Sequence, residues 1–243
     1  YPSYTELGYR QMSRIDYTAA DVDRFRAEVR DQVVPLCSEL RKRQAAALGL
    51  DRVMYWDEKV HDAGGSPRPK GDEAWMVAQA RDMFDALHPE LGAFFRMMAD
   101  GGYLDLSARD GKAGGGFCTS FPSVGQPYIF ANFNGTRGDV EVFTHEAGHA
   151  FQCWKSRSQP LTEYLFPTLE ACEIHSMSLE FLTWPEMERF FGDDADAFRR
   201  AHLRESLLFI PYGVAVDHFQ HLVYANPGAS PAERFDMWKQ VEA

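Results

Sequence analysis

The feature that most constrains this chain is a pair of histidines four residues apart, with a glutamate directly after the first. The letters are HEAGH, an HExxH motif at residues 145–149, inside the segment VFTHEAGHAFQ. On a helix, side chains four residues apart project from one face, so His145 and His149 can both reach a tetrahedral ion at about 2.0 to 2.1 Å. Glu146 lies beside them, where a carboxylate can act as general base toward a water and then protonate a leaving amine. The motif therefore predicts a helix with two metal ligands and a catalytic carboxylate, and Gly148 would let a strand or a substrate approach that helix closely.

A catalytic zinc site also needs a third protein ligand. The segment LEACEIHSMSLEF supplies three carboxylates on the next predicted helix, Glu170, Glu173 and Glu180. A second helix that crosses the first can donate one of them, and spacing alone leaves the three as alternatives. Cys153 and Cys172 lie beside the same helices, but cysteines in such positions are more often small buried residues than ligands.

Charge and cysteine content exclude several classes of protein. Lys and Arg total 25 against 36 Asp and Glu, and the formal net charge is −11, with the acidic residues scattered along the chain. This balance argues against nucleic acid and anionic membrane surfaces as partners. The four cysteines are too few for a disulfide scaffold and form no C-x-x-C pair, which favours a reducing, cytoplasmic location. No apolar run approaches the roughly 18 residues that a membrane-spanning helix needs.

Helical periodicity dominates the first part of the chain. A capping box at Thr18 and Asp21 opens a long predicted helix that ends at Gly49, with a kink expected near Pro35. Residues 61–73 concentrate Gly, Pro and charge and indicate an exposed loop. A further helix, or a broken pair, is predicted over residues 73–99.

The middle of the chain is rich in Gly, aromatic residues and β-formers. Two short runs, residues 116–122 and 127–132, are separated by the turn-like letters SVGQ and predict a β-hairpin. Helical pattern returns from residue 139 onward. The predicted class is mainly α: a multi-helix region with a small β-hairpin or sheet next to the HExxH helix.

The length of 243 residues, of which 45% are hydrophobic, is enough to bury a sizeable core. We predict a single helical region over residues 1–243. Because the chain starts without Met and stops inside a predicted helix, we expect it to be part of a larger catalytic domain, truncated at both ends.

These motifs resemble the catalytic region of the oligoendopeptidase F and thimet oligopeptidase family of zinc metallopeptidases, and in particular its oligoendopeptidase F branch. The resemblance covers most of the chain. Besides HEAGH it rests on the segments YTELGYRQMSRIDY, GGGFCTSFP, PYIFANFNG and FIPYGVAVDHFQH. It implies a zincin-type fold, one Zn²⁺ per chain, and short peptides as substrates.

The resemblance also selects among the candidate ligands. In this family the second ligand helix reads as a glutamate, a short or β-branched residue, one more residue and then serine, with another glutamate seven positions after the first. The letters EIHSMSLE at residues 173–180 fit, which implies Glu173 as the third ligand. Glu170 and Glu180 become candidates to orient a histidine ligand through its other ring nitrogen, with surface charge as the alternative. His175 is close enough in sequence to neighbour the site.

In enzymes of this family, the strand before the motif helix lines the cleft and pairs with the extended substrate. Residues 115–118, namely Gly115, Gly116, Phe117 and Cys118, take that role by resemblance. The family's later segment rich in tyrosine and histidine, which stabilises the oxyanion, is missing from this sequence. Tyr212, His218 and His221 are candidate substitutes, although packing is the favoured role for all three.

The predicted function is that of a zinc-dependent endopeptidase in which Glu146 is the general base. Three alternatives stay open. A zinc hydrolase of non-peptide amides would keep the same ligands. A catalytically silent zinc-binding fragment or module would fit the missing oxyanion segment, and a purely structural helical protein would leave the histidines without metal.

Overall fold

A computed structural model of the chain describes residues 1–61 and 63–242. Asp62, which falls in the predicted loop 61–73, and Ala243, the last residue of the predicted region 1–243, lie outside the described residues. Contacts divide the chain into two compact units, Gly65–Arg200 and Tyr1–Gly64 together with Ala201–Ala243. That residues 1–243 are a single region of a larger, truncated domain stays a prediction.

The described residues form ten α-helices and three strands. In chain order they are α1 (Tyr4–Gln11), α2 (Ala19–Glu28), α3 (Val34–Leu48), α4 (Glu73–Leu87), α5 (Pro89–Asp100), β1 (Leu104–Ser107), β2 (Phe117–Phe121), β3 (Gln126–Phe133), α6 (Arg137–Ser156), α7 (Ile174–Leu182), α8 (Glu188–Phe191), α9 (Ala195–Ala225) and α10 (Pro231–Glu242). Short 3₁₀ turns and one π-helical turn complete the secondary structure. The protein is mainly helical with a small sheet, which confirms the predicted class.

The long helix predicted after Thr18 forms in two parts. Thr18 and Asp21 make the predicted capping box, and Gly49 ends α3 in the left-handed conformation, with φ 68°. Between α2 and α3, residues 29–33 form a π-helical turn. Pro35 has no N–H to donate, so the helical hydrogen bonds rearrange in the turn before it. The expected interruption is therefore a π turn just ahead of the proline.

The sheet has the strand order β1-β3-β2. β2 and β3 form the predicted antiparallel hairpin, with Cys118 opposite Ile129. Its turn includes Gly125 at φ 68°, a conformation that favours glycine. β1 pairs in parallel with the other side of β3 and was not predicted. Among the described residues, β2 therefore pairs with a strand on one side only.

The core of the unit Gly65–Arg200 is aromatic. The ring centroids of Phe84 and Phe95, from the paired helices α4 and α5, lie 4.8 Å apart. Phe143 of α6 contacts Phe95 at 5.5 Å and Phe133 of β3 at 5.6 Å. These side chains are buried. The aromatic contacts attach α6 to both the helical pair and the sheet.

In the other unit, α2 and α3 contact the later part of α9. Arg26 Nη1 donates to Asp217 Oδ2 at 2.6 Å, and the Cys37 thiol donates to the Leu207 carbonyl at 3.4 Å.

Within the described part of the chain, no helix combines the length and the apolar content that crossing a bilayer requires.

Asp105→Ala should destabilise the unit Gly65–Arg200 by about 1.5 to 3 kcal/mol at pH 7, because Asp105 accepts hydrogen bonds from two cations. The partners are Arg109 Nη1 at 2.6 Å and Lys112 Nζ at 3.0 Å, and the Lys112 side chain is only 1% exposed. The hydrogen bonds from Arg109 and then Lys112 hold the pKa of Asp105 well below its ordinary value of 3.8. Because the pKa of Asp105 is lower in the folded protein than in the unfolded chain, ionised Asp105 stabilises the fold at pH values above the pKa of the unfolded chain. This stabilisation is lost as the pH falls from there through the lowered pKa of the folded protein.

Urea unfolding of the variant and the parent protein at pH 7 and at pH 3 tests this prediction. The difference in unfolding free energy should be smaller at pH 3. An equal difference at both pH values would contradict an ionic role for Asp105.

Candidate metal centre

The helix that carries the HExxH motif is fixed at its first turn by a buried carboxylate. Asp139, 4% exposed, accepts the backbone N–H groups of Asn134 and Gly135 at distances of 2.7 to 3.1 Å. This closes the turn between β3 and α6 and satisfies donors next to the helix start. The motif then falls in the middle of α6, so His145 and His149 share one helix face as predicted.

Gly148 is the point at which α7 approaches α6. A Cβ at this position would lie 2.6 Å from Ser176 Cα and 2.9 Å from the carbonyl oxygen of His175. These are backbone atoms, so a side chain here could not be accommodated by a rotamer change. The expected close approach to Gly148 is therefore made by a helix, rather than by a strand or a substrate.

The second helix begins later than its periodicity predicted. α7 starts at Ile174, and Glu173 is the residue that precedes it. Glu173 therefore lies at the crossing with α6. Glu170 falls in the turn before the helix and is exposed.

Three donor atoms converge at this crossing. The Nε2 atoms of His145 and His149 are 3.1 Å apart, and Glu173 Oε2 lies 3.1 Å from the first and 3.2 Å from the second. Four ligands at about 2.05 Å from a tetrahedral ion are separated by about 3.3 Å, so this triangle fits three corners of a tetrahedron. Among residues 1–61 and 63–242, this is the group of histidine and acidic side chains placed to hold a metal ion.

Neighbouring side chains orient two of these donors. Glu180 Oε1 lies 2.7 Å from His145 Nδ1, and the Ser176 hydroxyl donates to Glu173 Oε2 at 2.7 Å. We assign the His145 proton to Nδ1, which leaves the Nε2 lone pair facing the cluster. Burial lowers the pKa of His145, but the hydrogen bond and the charge of Glu180 outweigh it and raise the pKa overall. Glu180 therefore contacts a candidate ligand, and its role in orienting that histidine stays a prediction.

Ser176 was not singled out from the sequence as a functional residue. Its side chain is fully buried, and its hydroxyl also lies 3.1 Å from the Glu173 carbonyl oxygen. The available signal was its position three residues after Glu173, where a hydroxyl in the first helical turn can reach back.

Glu146 is 7% exposed, and its Oε2 atom is buried with no hydrogen-bond partner among the described residues. Burial raises the pKa of Glu146; a hydrogen bond from the Cys118 backbone lowers it, but burial prevails. An acceptor oxygen beside the three donors, without a protein partner, is suited to take a proton from a bound molecule.

A cleft of about 440 Å³ opens over this group. The donors and Glu146 form one part of its wall. Another part is formed by Gly116 and by Phe117 and Cys118 at the start of β2. Gly115 is the residue just before this wall, and its carbonyl accepts the Asn132 side-chain amide at 2.8 Å. The predicted strand residues thus lie beside the donor cluster.

The remaining candidate residues fall into two groups, one at the cleft and one in the other compact unit. His175 lines the same cleft and contacts His149. The cleft is also lined by Cys118, Cys153 and Cys172, and none of these four residues belongs to the donor triangle. Tyr212 and His221 belong to the other compact unit. Tyr212 is 58% exposed, and His221 Nε2 lies 3.5 Å from the Tyr9 hydroxyl. The roles assigned to these residues stay predictions.

Comparison with known proteins places this fold among the peptidases. The chain belongs to peptidase family M3, whose family model matches residues 78–243. Among curated proteins, none matches the chain.

Three solved structures share about half of the sequence. A Bacillus anthracis strain Ames protein assigned as an oligoendopeptidase F is 51% identical, with a TM-score of 0.97 over 100% of this chain and 44% of that one. A second structure assigned as an oligoendopeptidase F is 52% identical, with a TM-score of 0.96 over 99% of this chain and 42% of that one. PZ peptidase A, solved with an inhibitor, is 50% identical, with a TM-score of 0.96 over 99% and 43%.

These matches confirm the resemblance to oligoendopeptidase F that the motifs indicated. They also show that the chain spans less than half of the length of these relatives, between 42% and 44%.

Proposed function

We propose that this chain is the zinc-binding part of an endopeptidase that hydrolyses short peptides, with one Zn²⁺ per chain. The observation that carries the proposal is the convergence of three donor atoms, each 3.1 to 3.2 Å from the other two. Glu146 Oε2, which has no hydrogen-bond partner in the described part of the chain, belongs to the residue next to His145. The membership in peptidase family M3 supports peptides as the substrate class.

His145, His149 and Glu173 would hold the ion. Two imidazoles and one carboxylate suit zinc better than calcium or magnesium, which prefer sites built from oxygen ligands. When bound, zinc polarises a carbonyl group and lowers the pKa of water.

Glu146 acts as the general base. Its carboxylate takes a proton from the attacking water and carries it to the amine that leaves, so no covalent intermediate with the protein is needed. The Cys118 backbone holds the carboxylate by a hydrogen bond, and burial raises the pKa of Glu146, which strengthens it as a base.

The edge of β2 that pairs with no described strand is the proposed binding site for the extended peptide. Gly116, Phe117 and Cys118 line the cleft, and Gly115 precedes them. An unpaired strand edge can hydrogen-bond a substrate main chain in the manner of an added strand. Short, unfolded peptides are the substrates that such pairing and a cleft of about 440 Å³ accommodate.

The cellular location and the class of partner are proposed from the cysteines and the net charge. All four cysteines are free in the structure, which supports a reducing, cytoplasmic location. The net charge of −11 supports peptides, rather than nucleic acid or a membrane surface, as the partners.

A catalytically silent zinc-binding module is the second candidate. It is favoured by the coverage of the relatives, 42% to 44%, because an oxyanion donor can be supplied by another part of a longer protein. Loss of one such donor slows hydrolysis by about 100- to 1,000-fold. Tyr212, His218 and His221 remain the candidates for this role within the chain. Glu170 remains a candidate neighbour of the ligands.

Elemental analysis should find one zinc per chain in the parent protein. Glu173→Gln should weaken zinc binding by more than about 100-fold, because replacing a residue that only hydrogen-bonds to a metal ligand already costs about 10- to 100-fold. Glu163→Gln, in an exposed turn of the same compact unit, is the matched control and should bind zinc as the parent does. Cleavage of a quenched fluorescent peptide, measured on the same samples, separates the two candidate functions. Zinc without cleavage in the parent would favour the silent module. A parent protein that binds no zinc would refute both candidate functions, the endopeptidase and the silent module.

A further inference from the structure

The two histidines of the donor triangle are supported in different ways. His145 Nδ1 faces a carboxylate, Glu180 Oε1, at 2.7 Å. His149 Nδ1 instead faces another imidazole, His175 Nε2, at 3.2 Å. The rings of His149 and His175 are nearly perpendicular, at 80°, with their centroids 5.2 Å apart. A histidine ligand more often donates its second N–H to a carboxylate, a backbone carbonyl or water, so the imidazole partner distinguishes His149.

The positions of the protons follow from the geometry. The lone pair of His149 Nε2 must face the cluster if that atom is a donor to metal, which places the His149 proton on Nδ1. This N–H can donate only to an unprotonated nitrogen, so His175 Nε2 carries no proton. A neutral His175 then has its own proton on Nδ1.

His175 is held in this place by the helix crossing. Its carbonyl oxygen lies 2.9 Å from the point where a Cβ of Gly148 would be, so the backbone of His175 is pressed against α6. Its side chain does not belong to the donor triangle. His175 therefore contacts a proposed ligand without being one.

We propose that His175 is a positioning residue for the metal site. Its Nε2 accepts the N–H of His149, fixes the tautomer and ring orientation of that ligand, and so sets zinc affinity without contacting the ion. This inference rests on the proposed zinc function. A neutral acceptor makes a weaker hydrogen bond than a charged one, so His175 contributes less than Glu180 does through His145.

Zinc affinity of the metal-free protein, measured by competition with a chromophoric chelator, tests the proposal. His175→Leu removes the acceptor and should weaken zinc binding by about 10- to 100-fold, and Glu180→Leu should weaken it at least as much. His175→Gln retains an acceptor oxygen and should recover most of the affinity. His88→Asn, which changes an exposed histidine and keeps a capping side chain at the start of α5, should leave zinc binding unchanged.

A spectroscopic measurement on the parent protein covers the case in which His175→Leu fails to fold. In ¹⁵N-histidine-labelled protein loaded with zinc, NMR should assign the His175 proton to Nδ1 and the His149 proton to Nδ1. A His175 proton on Nε2, or a folded His175→Leu variant with the affinity of the parent, would overturn the proposal. Both results presuppose that the parent binds zinc, so absence of zinc from the parent refutes the proposed function instead.

Discussion

Glu146→Gln should lower the rate of peptide hydrolysis by about 100- to 10,000-fold while zinc stays bound, because an amide cannot accept the proton that a general base removes. The substitution keeps the shape of the side chain. Glu146 is 7% exposed and its Oε2 has no partner among the described residues, so a glutamine amide fits without breaking a protein contact at that atom. The change therefore separates proton transfer from the integrity of the site.

The measurement is the cleavage of a quenched fluorescent peptide, with zinc content determined on the same sample. Glu163→Gln, in an exposed turn of the same compact unit, is the matched control and should cleave at the parent rate. A Glu146→Gln protein that cleaves as fast as the parent would show that another group is the base. A loss of zinc together with activity would show that Glu146 maintains the metal site rather than the chemistry.

Gly148→Ala should weaken zinc binding by at least about tenfold and lower the free energy of unfolding by about 1 to 3 kcal/mol. The added Cβ would lie 2.6 Å from Ser176 Cα, so α7 must move away from α6. Glu173, directly before α7, would move with it. The donor triangle would then widen, although no ligand has been replaced.

Gly213→Ala provides the matched control for this prediction. Gly213 lies inside α9, and its nearest neighbour to an added Cβ is a Phe209 ring carbon at 3.7 Å, an ordinary contact. Alanine is the better helix former by about 1 kcal/mol, so this variant should be as stable as the parent or more so. Equal effects of the two substitutions on zinc affinity would argue against the close packing at Gly148 as the cause.

Features encoded by neighbouring residues were predictable from the sequence. The spacing of His145 and His149, the capping box at Thr18 and the β2–β3 hairpin each depend on a few consecutive residues, and the structure has all three. Local periodicity and turn chemistry determine such features before any tertiary contact forms.

Features that depend on distant contacts were not predictable in the same way. β1 is four residues long and pairs with β3 across an intervening strand, so its own letters carry little signal. Spacing left Glu170, Glu173 and Glu180 as alternative ligands, because periodicity did not show that α7 begins only at Ile174. The contact between His149 and His175 requires two helices to cross at one particular distance, which periodicity does not encode.

The crossing at Gly148 has a consequence for folding as well as for chemistry. All three proposed ligands, the base and the strand wall lie within residues 116–180, inside one compact unit. A bound ion would act as a cross-link between α6 and α7, and ligand binding to the native state alone adds about 4 kcal/mol of stability at a thousandfold excess over Kd. Slowed amide hydrogen exchange in both helices would report bound zinc, so zinc supply would set the stability of this unit as well as its proposed catalysis.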